Sequence, residues 1–349
     1  MPVYNGERFL AEAIESILGQ TFADFEFVIV DDGSTDTSPA ILADYASRDP
    51  RIRVVTQANA GIVAALNRGL AECRTALVAR MDADDVSLPT RLERQVSFLA
   101  AHPKVAVVGT AFRLISEDGR PGTIVAHPVN ADTIRKGLSR ATMLGHPTVM
   151  MRRDAVVHSG GYREALRHAE DYDLWTRLSD GHELTNLPEC LLSYRTHRGQ
   201  VSWSQAEAQA MATLAVRALS AQRRRFGKET VSLPKTMDRD FLLTLGVSTR
   251  DVEDALIACV AGRISDLTFA GMPDEAAAVR RELADTARQS GLSSFTRSTT
   301  ARLAWSDFGL AWRDRRWLPA LRALATCARS TAGDWRLLRA ALDRLTSCA

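Results

Sequence analysis

Residues 76–85 read Ala76-Leu77-Val78-Ala79-Arg80-Met81-Asp82-Ala83-Asp84-Asp85. An apolar run of strand character ends directly in a cluster of carboxylates, and Thr90 to Ala101 behind it has the pattern of a helix. Working back towards the start, Phe25 to Val30 reads as another strand, followed by the turn-forming cluster Asp31-Asp32-Gly33-Ser34-Thr35-Asp36 and a helix from about Pro39 to Ser47. Ile52 to Thr56 then predicts a strand and Ile62 to Glu72 a helix. This alternation predicts an α/β fold with a mostly parallel sheet and flanking helices. Acidic residues thus collect at the carboxyl ends of separate strands, the edge where loops converge and ligands bind in open α/β sheets.

Further along, the alternation becomes irregular. Strands are predicted at Val105–Gly109, Thr148–Arg152 and Leu191–Arg195, with a helix from Glu170 to about Ser179, which suggests a second half built on a mixed sheet. From about Gln205 the pattern is almost wholly helical, interrupted by a Ser/Thr-rich break over Ser290 to Thr300. The expected organisation is therefore a catalytic-sized α/β region over 1–204 and an α-helical C-terminal region over 205–349.

The whole chain has 349 residues, 46% hydrophobic and 25% charged, the composition of an ordinary folded protein rather than a disordered or fibrous one. A net charge of +2 gives no support to nucleic-acid binding. The five cysteines, Cys73, Cys190, Cys259, Cys327 and Cys348, lack the paired spacing of a zinc site or disulfide framework and read as free thiols in a reducing cytoplasm. No apolar run approaches the roughly 18–20 residues that span a bilayer.

The acidic clusters each admit a plain structural reading. Asp84, Asp85 or Ser87 could cap the helix that follows, yet Asp82 and Asp84 on a tight turn also suit a hard divalent cation such as Mg or Mn. Asp31-Asp32-Gly33-Ser34 could be a simple turn, while a carboxylate there could equally accept the imide N–H of a uracil or thymine ring. In His168-Ala169-Glu170-Asp171-Tyr172-Asp173, the acids suit a helix N-terminus and also supply a general base.

The ordered combination of these segments resembles the family 2 glycosyltransferases of GT-A fold. The resemblance runs through Pro2-Val3-Tyr4-Asn5-Gly6, Ser16 to Phe22, Val30 to Asp36, Asn59-Ala60-Gly61, Asn67-Arg68-Gly69, Asp82-Ala83-Asp84-Asp85 and Glu170 to Trp175, continuing to Tyr194-Arg195-Thr196-His197, Gln200 and Ser202. It implies inverting transfer of a sugar from a nucleotide-diphosphate sugar, of UDP or dTDP type by preference, to a saccharide or lipid-linked saccharide acceptor in cell-surface polysaccharide or glycolipid synthesis. By the same resemblance Pro2, Val3 and Tyr4 line the base and ribose pocket, Asp32 holds the base, and Asp82 sits near the ribose and diphosphate. Asp84 is then the metal ligand, His197 lies near the metal or diphosphate, and Asp171 is the catalytic base with Glu170 beside it. His146 falls near the acceptor side.

Family members carry an apolar run ahead of the Pro-Val-Tyr-Asn motif that forms the first strand. Here the chain opens Met1-Pro2, so that strand is expected to be cut short, leaving its neighbours' edges open. This departure keeps a second reading alive, a non-catalytic nucleotide-sugar-binding partner subunit. A dinucleotide oxidoreductase finds no GxGxxG between strand and helix. Residues 297–349 interleave arginine with Trp305, Trp312, Trp317 and Trp335, a pattern for peripheral contact with an anionic membrane or for packing against the catalytic region. The expected location is cytoplasmic, extending to the inner face of the plasma membrane.

Overall fold

In the computed structural model, residues 1–197, 206–235, 237–252, 254–255, 264 and 277–281 are described. The first sheet is all parallel. Its strands are β1 (Pro2–Val3), β2 (Phe27–Asp31) and β3 (Ile52–Thr56), in the order β1-β2-β3. Strict alternation along β2 distributes its side chains. Phe27 and Ile29 join Leu10, Ala13, Ile14 and Ile17 of α1 (Leu10–Leu18) and Leu42 and Tyr45 of α2 (Ser38–Arg48). Val28 and Val30 point to the other face, against Ala65 of α3 (Ile62–Glu72). The spacing 10, 13, 14, 17 is the apolar stripe of a helix lying on a sheet.

The second sheet is mixed, in the order β4-β8-β6-β9-β5, with β7 (Pro121–Val125) added to β6. Here β4 is Leu77–Ala79, β5 Val86–Ser87, β6 Val105–Ile115, β8 Met150–Arg152 and β9 Glu183–Arg195. Only the β6–β9 pairing in it is parallel among the described strands. Helix α4 (Arg91–Ala101) covers one face through Leu92 and Leu99, which meet Val105, Val108, Met150, Leu187 and Leu191. Strand β9 begins eight residues before Leu191, where its sequence reading began, because Pro188 and Cys190 fall at register shifts that break the apolar alternation. Helices α5 (Ala131–Gly137), α6 (Arg153–His158) and α7 (Glu170–Leu178) complete this half.

Between β2 and β4 the two sheets are not hydrogen-bonded to each other, and β1 contributes two residues at this seam. Met1 extends the pairing by donating from its amine to the carbonyl of Val28 (2.9 Å) and accepting from Val30 N–H (2.9 Å). An apolar slot of about 330 Å³ remains there, lined by Met1, Val28, Val30, Leu77, Ala79 and Met150 among others.

Met1–His197 with Ala215–Met237 form one compact unit, and Arg198–Leu214 with Asp238–Ala349 form a second. In the first, α8 (Ala206–Phe226) contributes its residues from 215 onward. In the second, α9 (Arg239–Thr244) is capped by the Asp238 carboxylate, which accepts from Phe241 N–H at 2.7 Å. The Arg/Trp-rich 297–349 stretch, Ser290 to Thr300, Gln200, Ser202, Cys259, Cys327 and Cys348 lie outside the described residues. Cys73 and Cys190 are free thiols. Among the described residues no helix is long and apolar enough to cross a membrane.

Candidate active site

Strand β4 delivers its acids to a turn where carboxylate oxygens of Asp82, Asp84 and Asp85 lie within 4.8 Å of one another. Burial pushes the Asp85 carboxyl well above the usual carboxylate range, and the neighbouring charges of Asp82 and Asp84 add to it. Burial likewise raises Asp82, opposed by the Arg80 guanidinium that pairs with it.

The turn is held from a distant part of the chain. Because β5 pairs antiparallel with β9, residues 194–197 arrive beside residues 82–85. Arg195 donates from its backbone to Asp85 Oδ1 (2.9 Å) and from Nε to the Asp84 carbonyl (2.9 Å). Its remaining nitrogens reach the Glu117 carbonyl (3.0 Å) and Glu12 Oε2 (2.5 Å), and the guanidinium lies over the Phe9 ring. His197 Nε2 stands 2.9 Å from Asp84 Oδ2.

The second acidic turn follows β2. Asp32 is buried, and its carboxylate accepts from Gln57 Nε2 (2.7 Å), Ala60 N–H (2.9 Å) and Gly61 N–H (2.8 Å), fastening the 57–61 loop. Asp31 Oδ1 accepts from Ser34 N–H (3.0 Å). The 4–7 and 34–38 segments lock together through Asn5 N–H to Ser34 Oγ (3.0 Å), Thr35 N–H to Asn5 Oδ1 (2.8 Å) and Gly6 N–H to Ser38 Oγ (2.9 Å). Pro2 and Val3 pair with Val30 and Asp31. The Val3 side chain is 2% exposed and belongs to the core, so it offers a pocket backbone alone, whereas Tyr4 is 52% exposed and presents its ring.

Gly61 adopts φ +89, and an added Cβ would sit 2.6 Å from Arg167 Nη2. The arginine can swing aside, so backbone strain sets the cost. At ψ 169 this positive φ falls in a region only glycine adopts readily, and Gly61→Ala should lose about 1–3 kcal/mol of stability, read as a lowered thermal midpoint.

Glu170 and Asp171 open α7, two residues after His168 at the strained φ of +74. Burial, reinforced by the Asp171 charge, pushes Glu170 up to about 7. Burial also raises Asp171, whose Oδ1 accepts from Tyr172 N–H at 2.7 Å. Glu170 Oε2 is buried without a partner. The charges of Arg80 and Asp82 both act on Asp171, so the 80s and 170s segments share one electrostatic neighbourhood. His146 Nε2 is 3.0 Å from Tyr162 Oη, and burial holds this histidine well below its usual pKa.

Sequence reasoning gave no role to Arg80, Gln57, Tyr162 or Arg195. Arg195 had a visible signal, its place between Tyr194 and His197. The other three had none, because each matters through a contact that only the fold creates.

The family description Glycosyl transferase family 2 matches residues 1–160. The O-antigen biosynthesis glycosyltransferase WbnJ of Escherichia coli is 36% identical over 201 residues, 56% of this chain and 78% of WbnJ. The chain belongs to glycosyltransferase family 2. This family 2 glycosyltransferase is also 35% identical over 204 residues to the amylovoran biosynthesis glycosyltransferase AmsE of Erwinia amylovora, 57% of the chain and 76% of AmsE. Its fold is that of S. aureus TarS in complex with UDP-GlcNAc, with TM-score 0.55 and 16% identity over 95% of this chain and 90% of that one. The mannosyltransferase PcManGT from Pyrobaculum calidifontis, in complex with GDP-Man and Mn2+, gives TM-score 0.52 and 20% identity over 95% and 86%. The family 2 glycosyltransferase is thus a GT-A enzyme by fold.

Proposed function

We propose that this glycosyltransferase moves a sugar from a nucleotide-diphosphate sugar to a hydroxyl of a saccharide or lipid-linked saccharide, with inversion, in the synthesis of a surface polysaccharide. The transfer chemistry is assigned to residues 1–204, with 205–349 as a helical accessory region. The observation that carries the reading is the meeting of Asp82, Asp84, Asp85 and His197 at one turn that shares its electrostatic neighbourhood with Glu170 and Asp171. The similarity to WbnJ and AmsE supports the biosynthetic setting, and the donors held by TarS and PcManGT support a nucleotide-sugar.

The donor set suits Mg or Mn. It is rich in carboxylate oxygen, and Asp85 Oδ2 is buried without a partner. Asp84, with Asp82 and with His197 adjoining, would hold the cation, which when bound offsets charge growing on the leaving diphosphate. The exposed Tyr4 ring offers a stacking surface for the base. Asp32 shapes the loop around it and accepts the base imide N–H if Gln57 gives up its place at Oδ1. On the opposite side of the reaction, Asp171 takes the proton from the attacking hydroxyl as the acceptor oxygen displaces the nucleotide, with Glu170 beside it. One base suffices, because direct displacement passes through no covalent intermediate.

Calorimetric titration of uridine diphosphate with and without manganese tests this reading. Binding should require manganese, and Asp84→Ala should weaken it at least about tenfold, the loss of one direct ligand and its charge. Equal binding by Asp84→Ala would place the cation elsewhere, and absence of binding in wild type would remove the uridine donor.

A further inference from the structure

The proposed chemistry leaves the placement of Arg80 unused. Its backbone is fixed on both sides: the N–H donates to the Val149 carbonyl (3.0 Å), and its carbonyl accepts from Arg91 Nη2 (2.6 Å). The strand end therefore cannot shift, and adjustment is left to the side chain. That side chain is 8% exposed, pairs through Nη1 with Asp82, and keeps Nε buried without a partner. A buried guanidinium with an unspent donor is costly, so it is not explained as a stabilising ion pair. Its charge favours the ionised forms of Asp82, Asp85, Glu170 and Asp171, so acids from two segments face a single arginine.

We propose that Arg80 is a positioning residue that stands in for the divalent cation at the acidic turn and releases Asp82 when the cation arrives. The inference rests on the cation-dependent reading of the site. A guanidinium and a divalent cation compete for one carboxylate and repel each other, so the Arg80–Asp82 pair belongs to the resting enzyme. While it lasts, it keeps the acids from repelling one another and opening the turn. Once Asp82 turns to the cation, the Arg80 charge remains beside Glu170 and Asp171. The side chain thus opposes cation binding while supporting the base.

The test is calorimetric titration of Mn2+ into the full chain, for wild type, Arg80→Met and Arg80→Gln, each with and without Asp82→Asn. Both neutral variants should bind Mn2+ more tightly than wild type by at least about fivefold, the lower end of coupling between linked sites. The gain should vanish in the Asp82→Asn background, and kcat should fall while the Mn2+ concentration for half-maximal activity also falls. A structural role would instead weaken binding and turnover together. If a neutral variant that folds binds Mn2+ no more tightly than wild type, or if the gain survives Asp82→Asn, the Arg80 assignment is wrong and the cation site stands. A wild-type chain that takes up no Mn2+ removes the cation reading and this inference with it.

Discussion

Asp171→Asn should lower turnover by about 10³-fold, within the range that general-base catalysis supplies, while uridine diphosphate binding in the presence of manganese stays within about twofold of wild type. The substitution keeps the size and the hydrogen bond of Asp171 Oδ1 to Tyr172 N–H but removes the ability to take a proton. Acceptor hydroxyls are far too weakly acidic to attack without such help. Glu170→Gln should cost less, because Glu170 acts by its charge beside the base. The pair also sets the pH profile. Burial raises both carboxyls, Glu170 to about 7 with the Asp171 charge adding to it and Asp171 with the Asp82 charge adding to it, and a base works only when deprotonated. Transfer in the wild type should therefore fall away at a pH above the ordinary carboxylate range, as the raised Asp171 carboxyl takes up its proton. Single-turnover assays across pH check both points, and an Asp171→Asn enzyme with normal turnover would remove Asp171 from the base role.

The largest stability effect is expected from the same helix. Asp173 is fully buried, and its carboxylate accepts from Arg163 (Nε, 2.9 Å) and from Arg177 (Nε, 2.9 Å). Arg163 also pairs with Glu229 (2.7 Å), which Arg223 holds at 2.6 Å while reaching Asp180 at 2.7 Å. Asp173→Ala leaves the Arg177 guanidinium without an acid partner in low-dielectric surroundings and takes one of two from Arg163, and should cost about 3–5 kcal/mol. At about 2–4 °C per kcal/mol for a unit of this size, the thermal midpoint should drop by roughly 6–20 °C. The exposed pair Arg48–Asp44 is the control, since its side chains are 57% and 60% exposed and Asp44→Ala should change almost nothing. A small loss from Asp173→Ala would mean that the arginines find other partners.

Where a residue's role is local, the sequence reading and the structure coincide. Ile52–Thr56 and Ile62–Glu72 are bounded in the fold where periodicity placed them, and the acids fall at strand ends as predicted. The GT-A fold followed from the order of the motifs. Periodicity carries no long-range contacts. The resemblance alone placed His197 near the metal that Asp84 would hold, and Arg195 received no role, though both reach Asp84 through the β5–β9 pairing. Asp32 read as a base-holding group, whereas its oxygens also organise the 57–61 loop, a partnership 25 to 29 residues away. The beginning of β9 was hidden because Pro188 and the register shifts erase its alternation, and β7 because its residues are mostly exposed.

The apolar slot between β2 and β4 makes a thermal-shift screen of this enzyme report two different things. A void lined by Val28, Val30, Leu77 and Met150 accepts small apolar solutes, and any solute that binds the folded chain alone raises its melting temperature by mass action. At a hundredfold excess over its Kd such a solute contributes about 2.7 kcal/mol, as much as a nucleotide would. Fragments that fill the slot will therefore stabilise the protein just as a bound nucleotide does. Hits become informative about catalysis only when sorted by competition with uridine diphosphate.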